Sequence, residues 1–444
     1  MALSSTDLMP ESATSLEQTP FAGLRIVRSV LLCGASVRSL AESAISAGLR
    51  PLCVDFFEDQ DLTELLAGGK GRFVGRIKAF AELPAVTRSV RSSIPMLWAG
   101  GLENHTNILR QIAQRRSVIG ADPDLIDRLR NPQQLQDWLT SAGLEMPRLA
   151  TEATATADCQ WLRKPIASSG GIGIRTVSSS SLSQSLSTQV PTSENYLQEY
   201  IDGVPMSSIF CSDKRGLQLI GSSLQLIGWP SLGASEFLFC GNVGPVEPGE
   251  LIIEQLRTAA TAIIERTEMV GVFGIDFILR QGRVWVLEVN PRLTASHVLY
   301  DQAASGEARV NLVERHLATY GWTTRQHHAR ANARSAVADG SGAAARLIIW
   351  APTNYVVPHD MENLFENTPN TVVADRPRPG AVIPAGSPIC SVHVSANDLQ
   401  SIIAAIRSTT AGTVPQIPSV SWTKTAEQLA MLVHRFERNR NFPP

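Results

Sequence analysis

The side chains best suited to chemistry lie between residues 274 and 292, in the segment GIDFILRQGRVWVLEVNPR. Glu288, Asn290 and Arg292 recur at every second position, and Asp276 stands on the apolar run that precedes them. Because side chains alternate between the two faces of a strand, the first three residues share one face, and the opposite face is apolar. Two such runs joined by a short polar segment predict a β-hairpin with one polar side.

The register of this hairpin decides whether its two acids meet. A three-residue loop, residues 281–283, would pair Asp276 with Glu288, whereas a two-residue loop would pair Asp276 with Leu287 and set an acid opposite an apolar residue. We expect the three-residue loop, with the Cβ atoms of the two acids about 5 Å apart. Two carboxylates and the amide oxygen of Asn290 would suit Mg²⁺, which also takes oxygens from phosphates. A solvated acidic edge is the alternative.

A lysine followed by a serine- and glycine-rich loop makes a second cluster, at residues 161–174 (WLRKPIASSGGIGI). Lys164 is one of only five lysines beside 34 arginines, so its position before the loop is informative. Glycines let backbone N–H groups approach phosphate oxygens, and the lysine adds a point charge. The lysine precedes the loop and no helix follows, so the pattern differs from the Walker motif. Taken alone, a flexible hairpin explains the segment equally well.

A strand that ends in a polar turn forms the third cluster, at residues 195–203 (NYLQEYIDG). The edge of an adenine needs one hydrogen-bond donor and one acceptor, and strand-end backbone groups with a side-chain carbonyl can supply both. Many ordinary strand ends have a similar composition, so this segment gains weight only from the two clusters around it.

An α/β layer precedes the three clusters. Residues 28–55 predict a strand, a tight turn, a helix and a second strand, which is the start of a parallel sheet. Only one glycine of the dinucleotide-binding GxGxxG pattern is present, so a Rossmann-like layer with another duty is the better interpretation. A further predicted strand, residues 94–99, runs into Gly100 and Gly101, and α/β sheets hold ligands at such turns.

Composition excludes several classes of protein. The chain has 444 residues, and its formal net charge of -2 argues against a general nucleic-acid binder, which would carry a basic excess. None of the six cysteines forms a CxxC pair, which indicates free thiols in a reducing compartment. No apolar stretch reaches the roughly 18 residues that a membrane helix needs, and the polar start lacks the pattern of a signal peptide. We therefore expect a cytoplasmic protein that binds neither nucleic acid nor membrane.

In this order, over residues 30–320, the three clusters resemble the ATP-grasp superfamily, with GIDF and EVNPR as the specific segments. The chain looks most like the predicted ATP-dependent carboligases of that superfamily, a group related to biotin carboxylase. The segment ADRPRPGAVIPAGSPICSVHV is similar to the C-terminal β region of biotin-carboxylase-like members. The resemblance implies a mixed α/β and α+β fold. It would consist of a Rossmann-like N-terminal domain, an ATP-grasp domain of two α+β subdomains, and a small C-terminal β-rich domain.

The resemblance also implies a role for each cluster. Lys164 would contact the nucleotide phosphates, and the loop residues implied to close over them are Ser168, Ser169, Gly170, Gly171 and Gly173. The residues implied to hold adenine are Gln198, Glu199 and Ile201. The implied ligands of Mg²⁺ or Mn²⁺ are Asp276, Glu288 and Asn290, and Arg292, with Asn290 beside it, would act on the reacting phosphate and acyl group. The candidates for the acceptor substrate are Ser36, Arg38, Gly101, Glu103 and Asn104.

The resemblance and the shifts in composition together predict five segments. Polar, low-complexity composition marks a disordered tail and a linker. The expected segments are the tail at 1–25, the Rossmann-like domain at 26–125, the ATP-grasp domain at 126–323, the linker at 324–345 and the β-rich domain with terminal helices at 346–444.

Two features depart from the usual pattern of the superfamily. Many members place an acid for the ribose hydroxyls shortly after the adenine segment, where this chain has Val204, Pro205 and Met206. Many also have an earlier lysine, and this chain has none between residues 79 and 163. Arg128 or Arg130 would be the substitute, although arginine and lysine are not equivalent at such sites.

The activity implied by the resemblance is ligation of a carboxylate to an amine or thiol, driven by Mg-ATP through an acyl phosphate. Small-molecule substrates follow from this, and a homodimer is an open alternative to a monomer. A role in the biosynthesis of a one-carbon carrier cofactor is one interpretation. Activation of bicarbonate, as in biotin carboxylase, is an alternative, as is an ATP-binding module without turnover. The missing GxGxxG argues against a Rossmann oxidoreductase.

Overall fold

The structure is a computed structural model, and it describes residues 25–151, 154–156, 158–177, 195–303, 311–324, 342–359, 370–408 and 420–442. The predicted tail, apart from its last residue, and most of the predicted linker lie outside these ranges. In the N-terminal region the elements are β1 (Arg25–Ile26), β2 (Ser29–Cys33), α1 (Arg38–Ser46), β3 (Arg50–Asp55), α2 (Gln60–Leu66), β4 (Arg72–Arg76), α3 (Leu83–Val86), β5 (Met96–Trp98), α4 (Thr106–Ala113) and β6 (Val118–Ile119).

The middle of the chain alternates short helices with long antiparallel strands. Its first elements are α5 (Pro123–Leu129), α6 (Pro132–Ser141), β7 (Leu149–Ala150), β8 (Trp161–Pro165), β9 (Arg175–Val177) and β10 (Asn195–Glu199). They are followed by β11 (Val204–Asp213), β12 (Gly216–Ile227), β13 (Phe239–Val246), α7 (Glu250–Thr267), β14 (Gly271–Arg280) and β15 (Arg283–Asn290). The region closes with α8 (His297–Ala303), α9 (Leu312–Thr319) and β16 (Trp322–Thr323).

The C-terminal region is rich in strands and ends in two helices. Its elements are β17 (Ala343–Trp350), β18 (Tyr355–Val356), β19 (Thr371–Ala374), β20 (Val382–Ile383), β21 (Pro388–Ala396), α10 (Leu399–Ser408) and α11 (Trp422–Arg440).

A five-stranded parallel sheet forms the N-terminal layer, in the order β4-β3-β2-β5-β6. The buried runs of β2 and β3 are typical of parallel strands covered on both faces. Asp55 ends β3, and its carboxylate accepts hydrogen bonds from the backbone N–H groups of Val37, Phe57 and Glu58. The βαβ start predicted from the sequence is therefore confirmed, with the turns at its carboxyl ends held in place.

Two antiparallel sheets follow. The smaller has the order β7-β10-β8-β9, and the larger has eight strands in the order β15-β14-β11-β12-β13-β17-β21-β19. Apolar side chains of the large sheet and of α7, α10 and α11 form one continuous core. The predicted mixed α/β and α+β fold is confirmed.

The C-terminal strands share the large sheet of the middle region. Strand β17 pairs with β13, and β21 and β19 follow it outward. Without β17, the edge of β13 would present unpaired backbone groups and buried apolar side chains to solvent, so one shared sheet satisfies both regions. The predicted boundaries of the segments stay a prediction.

No helix among the described residues is long and apolar enough to cross a membrane.

Candidate active site

The β14–β15 hairpin sets Asp276 directly opposite Glu288, as the sequence predicts. The predicted three-residue loop is wrong, because Arg280 pairs with Arg283 across a two-residue turn. Both turn residues have positive φ, 50° at Gln281 and 72° at Gly282, which suits the right-handed twist of a tight hairpin. A β-bulge restores the pairing of the acids: Phe277 pairs with Val286, which leaves Leu287 as the extra residue.

Asn290 lies between the two acids. Its Nδ2 donates to Asp276 Oδ2 at 3.0 Å and to Glu288 Oε1 at 3.2 Å. The amide therefore presents nitrogen to the carboxylates, whereas the predicted cation site needs its oxygen. A rotation of this amide would be required for Asn290 to join the two acids as a ligand.

The Asp276 carboxyl titrates far from the ordinary range. Burial and the neighbouring negative charge of Glu288 raise its pKa from 3.8 to about 7, although a hydrogen bond with Ser207 and the charge of Arg292 oppose the shift. A cation between the two carboxylates would remove this repulsion. Among the described residues, no group of three or more His, Cys, Asp or Glu side chains converges as a metal site. Two carboxylates and an amide fit a cation that takes its remaining oxygens from phosphates.

Arg292 joins this cluster to the N-terminal layer. Its Nη2 donates to Glu103 Oε1 at 2.7 Å and lies 3.4 Å from Asn290 Oδ1, and its Nη1 donates to the Leu293 carbonyl at 3.3 Å. Its Nε is buried and has no hydrogen-bond partner among the described residues. A buried guanidinium N–H without an acceptor is costly, so this edge of Arg292 is suited to an anionic group.

Lys164 lies on β8 opposite Tyr196 of β10. Its Nζ donates to Gln198 Oε1 at 3.0 Å and stands 5.9 Å from the centre of the Tyr196 ring. The predicted phosphate-binding lysine and the predicted adenine-binding glutamine are thus neighbours on one small sheet. None of the described contacts of Lys164 is an ion pair with a carboxylate, which leaves its charge available to a phosphate.

The serine- and glycine-rich loop follows β8 and is held in place at both ends. Gly170, Gly171 and Gly173 all have positive φ, between 63° and 81°. A Cβ at Gly171 would lie 1.8 Å from the Phe237 carbonyl oxygen, so only glycine fits against this segment. The Phe239 N–H donates to the Gly170 carbonyl at 3.0 Å. The loop therefore reaches from the small sheet to the large one.

Arg130 and the loop serines bind the loop to the rest of the chain. Arg130 Nη2 donates to the carbonyl oxygens of Ile166 and, at 3.0 Å, of Ser168. Ser168 Oγ donates to the Ile172 carbonyl, and Ser169 Oγ donates to Glu103 Oε1 at 3.2 Å.

The two proposed substitutes for the early lysine are both engaged with protein atoms. Arg130 is bound to loop carbonyls, and Arg128 donates to the Arg266 carbonyl and stacks over Trp138.

The other residues predicted for adenine continue from Gln198 at the end of β10. Gln198 and Ile201 are buried. Glu199 Oε2 accepts hydrogen bonds from the backbone N–H of Arg148 at 3.2 Å and from its Nε at 3.0 Å, so this side chain is already occupied. The backbone at this strand end, together with Gln198, is the part suited to a purine edge.

The five candidates for the acceptor substrate separate into two groups. Glu103 and Asn104 meet Arg292 and the loop, and the Gly101 N–H donates to Glu103 Oε2 at 2.7 Å. Ser36 follows Ala35, whose N–H donates to the Gly100 carbonyl at 3.1 Å. Arg38 instead forms ion pairs with Glu42 at 3.0 Å and Asp61 at 2.8 Å. Its charge is therefore committed within the N-terminal layer.

A cavity of about 430 Å³ opens beside this network. Its walls come from the turn after β5, from the junction of α5 with α6 and from the base of the loop, and they include Glu103, Asn104, Arg130, Asn131 and Ile166. The carbonyl oxygen of the Asn104 side chain is buried, and no group in the described part of the chain donates a hydrogen bond to it. The cavity lies between the N-terminal layer and the loop.

Sequence reasoning missed two residues of the site. Ser207 of β11 pairs with Asp276, and Phe237 supports Gly171. No local pattern marks Ser207 or Phe237, since both act through strand pairing or loop docking with distant segments. Arg130 was expected only as a substitute for the early lysine, and its contacts with the loop carbonyls were not predicted.

Comparisons with known proteins identify similar domains and folds. The sequence model of the ATP-grasp domain matches residues 131–296. No curated protein sequence matches the chain. Solved structures with the same fold share little sequence with it, so they inform the fold alone.

Three of these structures cover most of the chain. The biotin carboxylase domain of Hydrogenobacter thermophilus 2-oxoglutarate carboxylase, in complex with MgADP, ADP and bicarbonate, has a TM-score of 0.67 at 12% identity and covers 95% of this chain and 100% of that one. Campylobacter jejuni biotin carboxylase has a TM-score of 0.64 at 13% identity, covering 93% and 97%. Staphylococcus aureus N5-carboxyaminoimidazole synthetase has a TM-score of 0.60 at 13% identity, covering 87% and 98%.

Proposed function

We propose, from the premise that residues 131–296 form an ATP-grasp domain, that this protein ligates a carboxylate to an amine at the expense of Mg-ATP. The carboxylate would take the γ-phosphoryl group of ATP and release ADP, and the amine would then attack the acyl phosphate and displace inorganic phosphate. Both substrates would be small molecules.

One observation carries this proposal: the acid pair of Asp276 and Glu288 stands beside an arginine that has a buried, unpartnered N–H. The pair needs a cation, and Arg292 Nε needs an anion. A metal-bound phosphoryl group in transfer to a carboxylate supplies both at once, with the cation on the phosphate and Arg292 on the acyl oxygens. A passive purine site would need neither feature.

Residues of the two antiparallel sheets would have different roles in phosphoryl transfer. Mg²⁺, when bound by Asp276, Glu288 and a rotated Asn290, would neutralise charge on the transferring phosphoryl group. Lys164 adds a second positive charge from β8, and the loop glycines offer backbone N–H groups to phosphate oxygens. Catalysis of this kind depends on position and electrostatics, so no nucleophilic side chain is required.

Arg292 would act on the acyl group. No acceptor within the described ranges binds its Nε edge, and a planar guanidinium can bridge a phosphate oxygen and a carboxylate oxygen. As the amine attacks, negative charge grows on the acyl oxygen, and a fixed arginine stabilises that charge. The amine would arrive from the side of the 430 Å³ cavity, where Asn104 Oδ1 is an unused acceptor for an N–H group.

A second candidate function is activation of bicarbonate in place of an organic acid. It is favoured by the likeness to two biotin carboxylase structures, one of them with bicarbonate bound. The same Arg292 edge would serve a bicarbonate oxygen. The finer assignment to one-carbon carrier biosynthesis rests on the sequence resemblance alone.

Assembly, domain boundaries and location complete the proposal. We propose a homodimer, since the Hydrogenobacter structure is described as a domain dimer, and light scattering of the purified chain would decide this.

The segment boundaries given above are proposed as domain boundaries. All six cysteines are free and five are buried, which supports the proposed reducing, cytoplasmic location.

The decisive experiment measures ADP release from Mg-ATP in the presence of paired carboxylic acids and amines, with bicarbonate as a separate arm. Release that depends on both substrates, with an amide product by mass spectrometry, supports the ligase. Release that depends on bicarbonate and one amine supports the second candidate. Tight Mg-ATP binding without any substrate-dependent release would contradict both and leave a binding module.

A further inference from the structure

We infer that Glu103 is a positioning residue for Arg292. Through its contact with the glycine loop, Glu103 also couples the orientation of Arg292 to the position of that loop. This inference rests on the proposed function, because it concerns the arginine assigned to the acyl group. Glu103 stands in a short 3-10 turn after β5 (Leu102–Asn104), far from Arg292 in the chain.

Both oxygens of the Glu103 carboxylate accept hydrogen bonds from protein groups. Its Oε2 accepts from the Gly101 N–H at 2.7 Å, and its Oε1 accepts from Arg292 Nη2 at 2.7 Å. Only 1% of the Glu103 side chain and 13% of the Arg292 side chain are exposed. A charge-assisted hydrogen bond in such surroundings has a defined geometry, so the carboxylate fixes where the guanidinium lies.

The carboxylate stays ionised although it is buried. Burial alone would raise the pKa of Glu103, but the charge of Arg292 and its hydrogen bond outweigh this effect and hold the pKa below the ordinary value. The pair is therefore a true ion pair, and each partner determines the position of the other.

The Gly100 backbone lies against the guanidinium of the pair. A Cβ at Gly100 would lie 3.3 Å from Arg292 Nη2, in close contact with the guanidinium. The guanidinium is thus confined between the Gly100 backbone and the carboxylate. With Nη2 bound to Glu103, the unpartnered Nε edge remains for substrate.

The glycine loop reaches the same carboxylate through Ser169. Ser169 Oγ donates to Glu103 Oε1 at 3.2 Å and accepts from Asn104 Nδ2 at 3.0 Å. One carboxylate oxygen therefore contacts both the loop that would cover the phosphates and the arginine that would serve the acyl group. Loop closure and arginine orientation share a partner, which couples them.

The first test replaces the charge and keeps the shape. We expect Glu103→Gln to lower the turnover number about 10- to 100-fold, the usual effect of losing a group that orients a functional ligand. The KM for Mg-ATP should change less than about threefold, since Glu103 is not among the residues proposed to bind the nucleotide. Turnover is measured as ADP release with the acid and amine pair that gives the highest rate, or with water as acceptor.

The matched control is Glu314→Gln. Glu314 is also a buried glutamate, on α9, and its carboxylate accepts a hydrogen bond from Thr324. This variant should lose stability without a comparable loss of turnover. Equal losses of turnover in the two variants would mean that Glu103 has a merely structural role and would overturn the inference.

A double-mutant cycle tests the dependence on Arg292. In the Arg292→Ala background, Glu103→Gln should lower turnover by less than about twofold, because the group that it positions is gone. Full additivity of the two losses contradicts positioning. If Glu103→Gln has the turnover number of the wild type, this inference is wrong and the proposed function is unaffected. If the wild type does not bind Mg-ATP, the proposed function itself is wrong.

The loop connection has its own variant. Ser169→Ala removes the hydroxyl that joins the loop to Glu103 and leaves the loop glycines intact. We expect a smaller fall in turnover than for Glu103→Gln, and no further fall when it is combined with Glu103→Gln. Independent effects of the two substitutions would show that the loop and the arginine are not coupled through this carboxylate.

Discussion

Two largely buried aspartates in and beside the large sheet have pKa values shifted in opposite directions. Asp276 of β14 faces Glu288, and burial with that negative neighbour raises its pKa to about 7. Asp375, just beyond β19, is penalised by burial too, but the charges of Arg346 and Arg38 and a hydrogen bond from Ser391 lower its pKa to about 2. The sign of the neighbouring charge, and not burial, separates them.

The contacts around Asp375 provide arginine counter-charges from the protein itself, although Asp59 and Asp61 also lie close to it. Arg346 Nη2 donates to Asp375 Oδ2 at 3.0 Å, and the Asp375 N–H donates to Asp61 Oδ2 at 3.0 Å. These bonds join α2 of the N-terminal layer to the C-terminal strands. Here the ions hold regions together, whereas at Asp276 two like charges remain for an external cation to balance. We use this difference to separate structural from functional charge.

The largest expected effect is on stability, at Asp375. Asp375→Asn keeps a residue that tolerates the positive φ of 54° but leaves Arg346 without its counter-charge. Breaking a buried ion pair by removing one partner should lower the free energy of unfolding by about 3 kcal/mol, measured by urea unfolding. The exposed control Asp202→Asn, which breaks a surface pair with Arg435, should cost less than about 1 kcal/mol. Equal losses would remove the distinction between the two aspartates.

Arg292→Ala should act on turnover and not on nucleotide binding. Losing one fixed donor to a developing oxyanion costs about 10²–10³-fold in rate. Arg292→Lys should recover little, because a point charge lacks the planar fork. Calorimetric titration with Mg-ATP and ADP-release rates provide the two measurements. Loss of ATP binding with an unchanged rate per bound nucleotide would instead make Arg292 a binding residue.

Lys164→Ala tests the charge on the small sheet. At 100 times its dissociation constant, Mg-ATP should stabilise the wild type by about 2.7 kcal/mol, and a tenfold weaker affinity would reduce this by roughly half. Thermal unfolding with and without millimolar Mg-ATP measures the effect. The control is Lys214→Ala, an exposed lysine beyond β11. A loss of stabilisation shared by both variants would deny Lys164 a specific role.

The smallest expected effect is a gain of stability in Asp276→Asn. In the unfolded chain this acid ionises near its ordinary pKa of 3.8, whereas in the folded protein it ionises only near 7. The folded state therefore binds more protons between these values, so wild-type stability falls as the pH rises from about 4 to 7. The neutral amide avoids this loss and should add about 1–2 kcal/mol at pH 8 and nothing at pH 4. A variant less stable than the wild type at pH 8 contradicts the repulsion. Divalent cations should stabilise the wild type more than the variant.

The hairpin shows how far sequence reasoning reached. The alternation of side chains placed Asp276, Glu288 and Asn290 on one face, and the structure brings them together. The predicted loop was nevertheless wrong, because a two-residue turn and a bulge at Leu287 give the same acid pairing. Periodicity constrains which face a side chain occupies, and it does not count the residues in a turn.

Other features of the site and of the fold could not be predicted from the sequence. Glu103 appeared in the sequence only as a candidate for contact with substrate, and its ion pair with Arg292 joins residues 189 positions apart. The order in which the C-terminal strands extend the large sheet could not be predicted either, since the residue pattern of a strand does not specify which strand it pairs with. Both features depend on which surfaces meet when the layers pack.

By itself, the sequence determined the local chemistry: an acid, amide and arginine series on a strand, a lysine before a glycine loop, and a parallel α/β layer at the start. Steric rules and side-chain alternation act over a few residues, so a local pattern suffices for these features. Three features were visible only in the tertiary structure: the β-bulge that aligns the two acids, the packing of the glycine loop against Phe237, and the ion pair between Glu103 and Arg292. These depend on contacts between distant segments, whose energies no local pattern of residues contains.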